Sequence, residues 1–123
     1  MERFKFRAWD REAELFRYFT LADIRNTSEG DIIVGSGNGF TFRLDAKTVQ
    51  QFVGIPDKNG KEIYEGDLVG DGDDSTDLWE VRWNEVDTCF CPFQLSSGKW
   101  CAGNLRPFAG RQYWVVRGNI INL

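Results

Sequence analysis

Apolar and aromatic residues recur at every second position in this chain, in short runs broken by glycine, asparagine and proline. Phe4, Phe6 and Ala8 fall on one side of an extended segment, and Lys5, Arg7 and Trp9 on the other. Leu78–Asn84 repeats the pattern, with Trp79, Val81 and Trp83 opposite Glu80, Arg82 and Asn84. A period of two is the mark of a strand with one face buried. The corners between runs are equally explicit. Gly35-Ser36-Gly37-Asn38-Gly39 separates Asp31–Val34 from Phe40–Leu44 as a hairpin turn would. In Pro56-Asp57-Lys58-Asn59-Gly60, the Asn-Gly pair supplies the positive φ angles of a tight turn. Short strands with turn signals about every 8–12 residues predict a mainly β chain of coiled antiparallel sheets, barrel or sandwich, with little helix.

Size and composition agree. At 123 residues, one small domain is the expected count, with no linker or repeat to divide it. Ten Phe, five Trp and three Tyr are available to fill a core, and such rings fit half-buried strand surfaces better than a helical bundle. Remaining segments are assigned by the same logic. Asp10–Ile24 is open between two structures. A turn at Asp10–Glu14 feeding a strand at Leu15–Leu21 is preferred, because the first strand closes most cheaply onto the nearest apolar run. A helix capped by Asp10, with Ala13, Phe16 and Phe19 at helical spacing, is the alternative. Asn26–Gly30 reads as a polar loop, Asp45 as the cap of a helical turn, and Gln51–Ile55 as extended. Gly70–Asp77 reads as an acidic loop, Cys89–Leu95 as an edge strand or bulge around Pro92, and Lys99–Cys101 and Gln112–Arg117 as strands.

Charge and composition also exclude functions. Nineteen acids against fifteen bases give a net charge of −4, which argues against a surface that grips nucleic-acid phosphates throughout. The chain has no histidine, which removes the commonest general base and the commonest zinc ligand together. Three cysteines cannot all pair, so Cys89, Cys91 and Cys101 read as reduced thiols. The charged start Met1-Glu2-Arg3-Phe4-Lys5 lacks the apolar stretch of a signal peptide, and no run is long enough for a membrane span. A bacterial cytosolic location is the expectation.

Two long stretches and a closing one resemble the YopX family of phage and prophage proteins. Lys5-Phe6-Arg7-Ala8-Trp9-Asp10 is similar to the family's opening. Gly54-Ile55-Pro56-Asp57-Lys58-Asn59-Gly60-Lys61-Glu62-Ile63-Tyr64-Glu65-Gly66-Asp67-Leu68-Val69 resembles its central signature, and Val116-Arg117-Gly118-Asn119-Ile120 its C-terminal segment. The resemblance spans nearly the whole chain. It implies a phage or prophage origin and a largely β fold with an SH3-like barrel component, and it carries no established activity, cofactor or catalytic residue.

Residue clusters with chemical potential each have a plainer explanation. Asp71, Asp73, Ser75 and Asp77 alternate like the start of a calcium loop, but Thr76 and Arg82 stand where that loop needs glycine and glutamate. A solvated loop is preferred. Glu62, Glu65 and Asp67 would supply carboxylates for a small enzyme, yet they lie in a turn where acids commonly accept backbone N–H bonds. Cys89-Phe90-Cys91 with Cys101 lacks the usual zinc spacing, and buried inert thiols are preferred. The Gly35–Gly39 run lacks phosphate-loop spacing. Arg3, Lys5, Arg7 and Trp9 would form a stripe for single-stranded nucleic acid, or a solvated strand face. Trp79 and Trp83 are expected in the core. The favoured function is a non-enzymatic, cofactor-free module binding an unidentified protein partner, with homo-oligomerisation open and no membrane association. Its candidate motif or contact residues are Arg7, Trp9, Asp10, Asp57, Asn59, Tyr64, Glu65 and Asp67. If the central motif forms an exposed ridge, Asp57, Asn59, Tyr64, Glu65 and Asp67 are the contacts; otherwise they hold the turn together.

Overall fold

The computed structural model describes residues 4–35, 37–71, 77–101, 105 and 112–122. These residues are mainly β, with a curled half-barrel sheet and no α-helix among them. Twelve strands follow one another among the described residues: β1 (Lys5–Asp10), β2 (Leu15–Thr20), β3 (Ile24–Ser28), β4 (Asp31–Gly35), β5 (Thr41–Asp45), β6 (Gln50–Pro56), β7 (Glu62–Tyr64), β8 (Asp67–Asp71), β9 (Trp79–Asn84), β10 (Cys89–Gln94), β11 (Lys99–Trp100) and β12 (Trp114–Asn119). Single 3-10 turns occupy Leu21–Asp23, Ala46–Thr48 and Ile120–Asn122. No helix among the described residues is long and apolar enough to cross a membrane. The chain gathers into two compact units, Met1–Phe52 and Val53–Leu123.

In the first unit, β1 and β2 form an antiparallel hairpin running from Lys5↔Thr20 to Asp10↔Leu15. The segment left open between hairpin and helix is therefore a hairpin. Asp10 does what a helix cap would do, accepting from the Glu12 and Ala13 amides at 3.0 and 3.1 Å, but it closes a turn instead. The same side-chain chemistry serves both structures, which is why the local pattern alone did not separate them. Gln50 and Gln51 of β6 pair with β1 on its other side. A second sheet has the order β3-β4-β5. Strand β3 lies where a polar loop is expected: as an edge strand with four exposed residues, it has no buried face to impose alternation. Asp45 caps the following 3-10 turn, accepting from the Lys47 amide at 3.0 Å. Ala8, Phe19, Val34 and Leu44 make the core, with Phe6, Ile24, Ile32, Phe42 and Val49 packed against it.

The second unit holds a five-stranded sheet in the order β11-β10-β9-β8-β12, while β7 neighbours the later part of β6. Ile63, Val69, Val81, Leu105 and Trp114 form its core, joined by Val53, Ile55, Trp79, Phe90, Cys101 and Val116. Two expectations are corrected here. Trp83 shares the parity of Trp79 and Val81 but is 47% exposed, because the end of β9 runs past the core; its ring meets Phe90 edge-on at 5.1 Å. Strand β10 is also not the edge. It lies between β9 and the two-residue β11, and Pro92, lacking a donor, still accepts the Cys101 amide at 2.9 Å.

Candidate functional site

The opening stripe is consumed by packing inside the first unit. Strand β1 lies between β2 and β6, so both of its edges are paired. Arg7 is buried, donating from Nε to Gln50 Oε1 at 2.9 Å, with its guanidinium 4.5 Å from the Phe16 ring centre. Lys5 Nζ sits 4.9 Å over Phe52. The Trp9 ring meets Phe16 edge-on at 5.1 Å, and its amide donates to Thr48 Oγ1 at 2.8 Å. Arg7 is therefore not part of a solvated face, Lys5 and Trp9 are half-buried, and Arg3 lies outside the described residues. Asp10 Oδ2 accepts from Arg17 Nε at 2.8 Å. That bond, aided by the Ala13 and Glu12 amides and opposed by burial, holds the Asp10 carboxyl below its ordinary value of 3.8.

The central motif is a pair of buried carboxylate staples. Asp57 Oδ1 accepts the Asn59 and Lys61 amides, each at 2.8 Å, which closes the turn between β6 and β7. Asp57 Oδ2 accepts the Val116 amide at 2.9 Å, tying that turn to β12 across 59 residues of sequence. Asp67 repeats the arrangement: Oδ2 accepts the Tyr64 amide at 2.8 Å and Oδ1 accepts Asn119 Nδ2 at 3.2 Å. Gly66, at φ +86°, makes the intervening corner, and its carbonyl accepts the Ile120 amide at 2.9 Å. Asp57, Tyr64 and Asp67 are 4%, 2% and 1% exposed. Three of the five ridge candidates are thus interior, and the turn-holding alternative describes them. Asn59 is exposed and Glu65 half-buried. Buried carboxylates persist where donors converge on them, and here the donors come from the two segments that carry the family resemblance.

The acidic and cysteine clusters are equally well accounted for. Tyr64 Oη donates to Glu62 Oε1 at 3.2 Å, while both oxygens of Asp67 are engaged. Cys89 and Cys91 project from one face of β10 with their sulfurs 3.4 Å apart, and all three cysteines are free. Burial first, then the neighbouring Cys89 sulfur, pushes the Cys91 thiol up to about 12. Among the described residues no group of three or more Cys, Asp or Glu side chains is arranged to hold a metal ion. Asp73, Ser75 and Thr76 of the acidic loop lie outside the described residues; Asp77 Oδ2 accepts from Gln94 Nε2 at 2.6 Å.

A surface on the other face of β9 carries a further set of side chains. Arg82 bonds Glu80 at 2.9 Å and lays its guanidinium over the Phe93 ring at 4.0 Å. Phe93 in turn meets Trp100 edge-on at 5.1 Å. Arg82, Phe93 and Trp100 form a ladder across β9, β10 and β11 on the face opposite Val81, with Trp100 40% exposed. The available sequence signal was parity: Glu80 and Arg82 sit opposite the Trp79–Val81 face, but the register to Phe93 is not written locally.

A search of curated proteins finds no match to this chain. The family model described as YopX protein matches residues 5–120, from the first strand through the Asn119–Ile120 corner that the Asp67 staple grips, and the chain belongs to that family.

Proposed function

We propose that this chain is a non-enzymatic protein-binding module of phage or prophage origin, working in the bacterial cytosol, with the Arg82–Phe93–Trp100 ladder as its contact surface. The observation that carries the proposal is the ladder itself. It is an exposed Trp, an aromatic-stacked Arg and a half-buried Phe on one sheet face, the residue types that dominate binding energy at protein interfaces. Its rings are held by cross-strand packing before any partner arrives, so little rotamer entropy remains to be lost. The non-enzymatic reading is supported by the employment of the motif carboxylates: Asp57 and Asp67 spend their lone pairs on backbone and amide donors of their own chain. Within this reading, the curled half-barrel sheet is an SH3-like element.

The test is affinity capture from host lysate with wild type, Trp100→Ala and Arg82→Ala as baits, followed by titration of the captured protein in purified form. The reading expects one partner to be lost at least tenfold with both variants and retained with Lys47→Ala, a control on the first unit. Equal retention by all four baits contradicts it.

A further inference from the structure

Cys89 and Cys91 stand two residues apart in β10, so the two-residue period of a strand puts both thiols on one face. Pairing with β9 fixes where they sit: Cys89 opposes Asn84 and Cys91 opposes Arg82. The corner that delivers them is held by its own side chains. Asn84 Oδ1 accepts the Val86 and Asp87 amides at 3.0 and 3.1 Å, and Thr88 turns the chain at φ +53° immediately before Cys89. The two sulfurs are 3.4 Å apart, close enough for one thiol to donate to the other. Cys101 is not part of this pair. Its amide bonds the Pro92 carbonyl at 2.9 Å, and it packs on the core of Ile63, Val69 and Val81, on the face that Pro92 and Val81 share rather than the face of Cys91 and Arg82.

The two thiols differ in access. Cys91 is 1% exposed, and burial followed by the neighbouring Cys89 sulfur keeps its proton on. Cys89 is half-buried. A small oxidant in solvent therefore meets Cys89 first, with Cys91 already in contact behind it. The strand sets a second condition. Two residues of extended chain span about 6.4–6.8 Å between Cα atoms, at the top of the range of about 4.4–6.8 Å that a disulfide bridges. A bond between them pinches the strand, and strained disulfides are the readily reduced, regulatory ones.

We infer that Cys89 and Cys91 form a reversible dithiol–disulfide site, oxidised by hydrogen peroxide through Cys89. The Cys89 sulfur attacks one peroxide oxygen: an S–O bond forms, the O–O bond breaks, and the departing hydroxide takes the Cys89 proton as water. The Cys91 sulfur then attacks the Cys89 sulfur: an S–S bond forms, the S–O bond breaks, and the departing hydroxide takes the Cys91 proton as a second water. The two thiols give up two electrons and one peroxide takes them. A reducing dithiol returns the pair to its starting state by exchange. The site stands on the sulfur geometry alone and does not depend on the protein-binding proposal.

The experiment exposes the full chain to hydrogen peroxide, denatures it in N-ethylmaleimide and locates the blocked thiols by peptide mass spectrometry. Wild type should lose Cys89 and Cys91 together, in a peptide short of two hydrogens, keep Cys101 alkylatable, and recover both thiols with dithiothreitol. Cys89→Ser should slow the oxidation of Cys91 about tenfold or more, because its only accessible relay is gone. Cys91→Ser should carry Cys89 on to sulfinic acid, which dithiothreitol does not restore. Cys101→Ser should leave the pair as it is in wild type. The wild-type result decides the matter even where a variant fails to fold. A bridge that includes Cys101, sulfinic acid at Cys89 with Cys91 still alkylatable in wild type, or equal oxidation of Cys91 in wild type and Cys89→Ser overturns the inference.

Discussion

Replacing Asp57 by asparagine isolates what its charge and second oxygen do. The carboxylate accepts three backbone N–H groups, two on Oδ1 and one on Oδ2. Asparagine can keep its oxygen on the Asn59 and Lys61 amides, because both bonds fall on one atom. Its NH₂ group then faces the Val116 N–H, donor against donor. The Val116 bond spans 59 residues and is half-buried, so its loss leaves a donor poorly reached by water. An unsatisfied donor costs about 1–3 kcal/mol, and the two retained bonds weaken from charged to neutral acceptors by about half. We expect Asp57→Asn to destabilise the chain by about 2–3 kcal/mol and Asp57→Ala, which strands all three donors, by about 4 kcal/mol. Against a typical total of about 5–15 kcal/mol, that is a large fraction. Urea unfolding followed by tryptophan emission measures both, and amide exchange at Val116 localises the loss. If Asp57→Asn falls within about 0.5 kcal/mol of wild type, the range of an ordinary surface substitution, or if Val116 exchanges no faster, the staple argument is refuted.

Three further outcomes follow from individual side chains. The Asp10 carboxyl is held below 3.8 by Arg17, so the folded chain binds fewer acid protons than the unfolded one. Its contribution is whole above that value and is lost as pH falls through the folded pKa; melting curves taken down to about pH 2 should steepen less with pH in Asp10→Asn, and an unchanged slope contradicts this. With the Cys91 thiol pushed up to about 12, only about one molecule in ten thousand carries the thiolate at pH 8, so iodoacetamide should leave Cys91 unmodified in the native chain and reach it after denaturation. Peptide mass spectrometry showing prompt native labelling of Cys91 would contradict its burial. Trp79→Ala removes a ring packed on the core and against Trp114 and should cost about 3 kcal/mol. Trp83→Ala, on the exposed end of the same strand, should cost less than about 1 kcal/mol, and equal losses in urea unfolding would show the parity reading to be right after all.

What was legible in the sequence was what local chemistry determines. Alternation located β1 and β9, the Asn59-Gly60 corner located the β6–β7 turn, and Asp45 marked its 3-10 turn, because each signal is contained within a few residues. Strand β3 was not legible, since Ile24–Ser28 pairs along one edge with its side chains mostly in water and carries no apolar rhythm. Trp83 misled for a different reason: parity assigns a face but not how far along the strand that face stays covered. The roles of Asp57 and Asp67 were half visible. Their turn contacts follow from sequence position, whereas their partners Val116 and Asn119 lie 59 and 52 residues away and are set by the pairing of β8 with β12. The Arg82–Phe93–Trp100 ladder likewise depends on a cross-strand register that no single segment specifies.

The central claim is that the family's central and C-terminal segments are two halves of one buried polar joint. A double-mutant cycle on Asp67 and Asn119, joined at 3.2 Å, tests it most directly. Asp67→Ala and Asn119→Ala, alone and together, should give a coupling of about 1 kcal/mol or more in urea unfolding, as contacting buried groups do. Losses that simply add, within about 0.3 kcal/mol, would mean the two segments are conjoined by the sheet alone and would contradict the account.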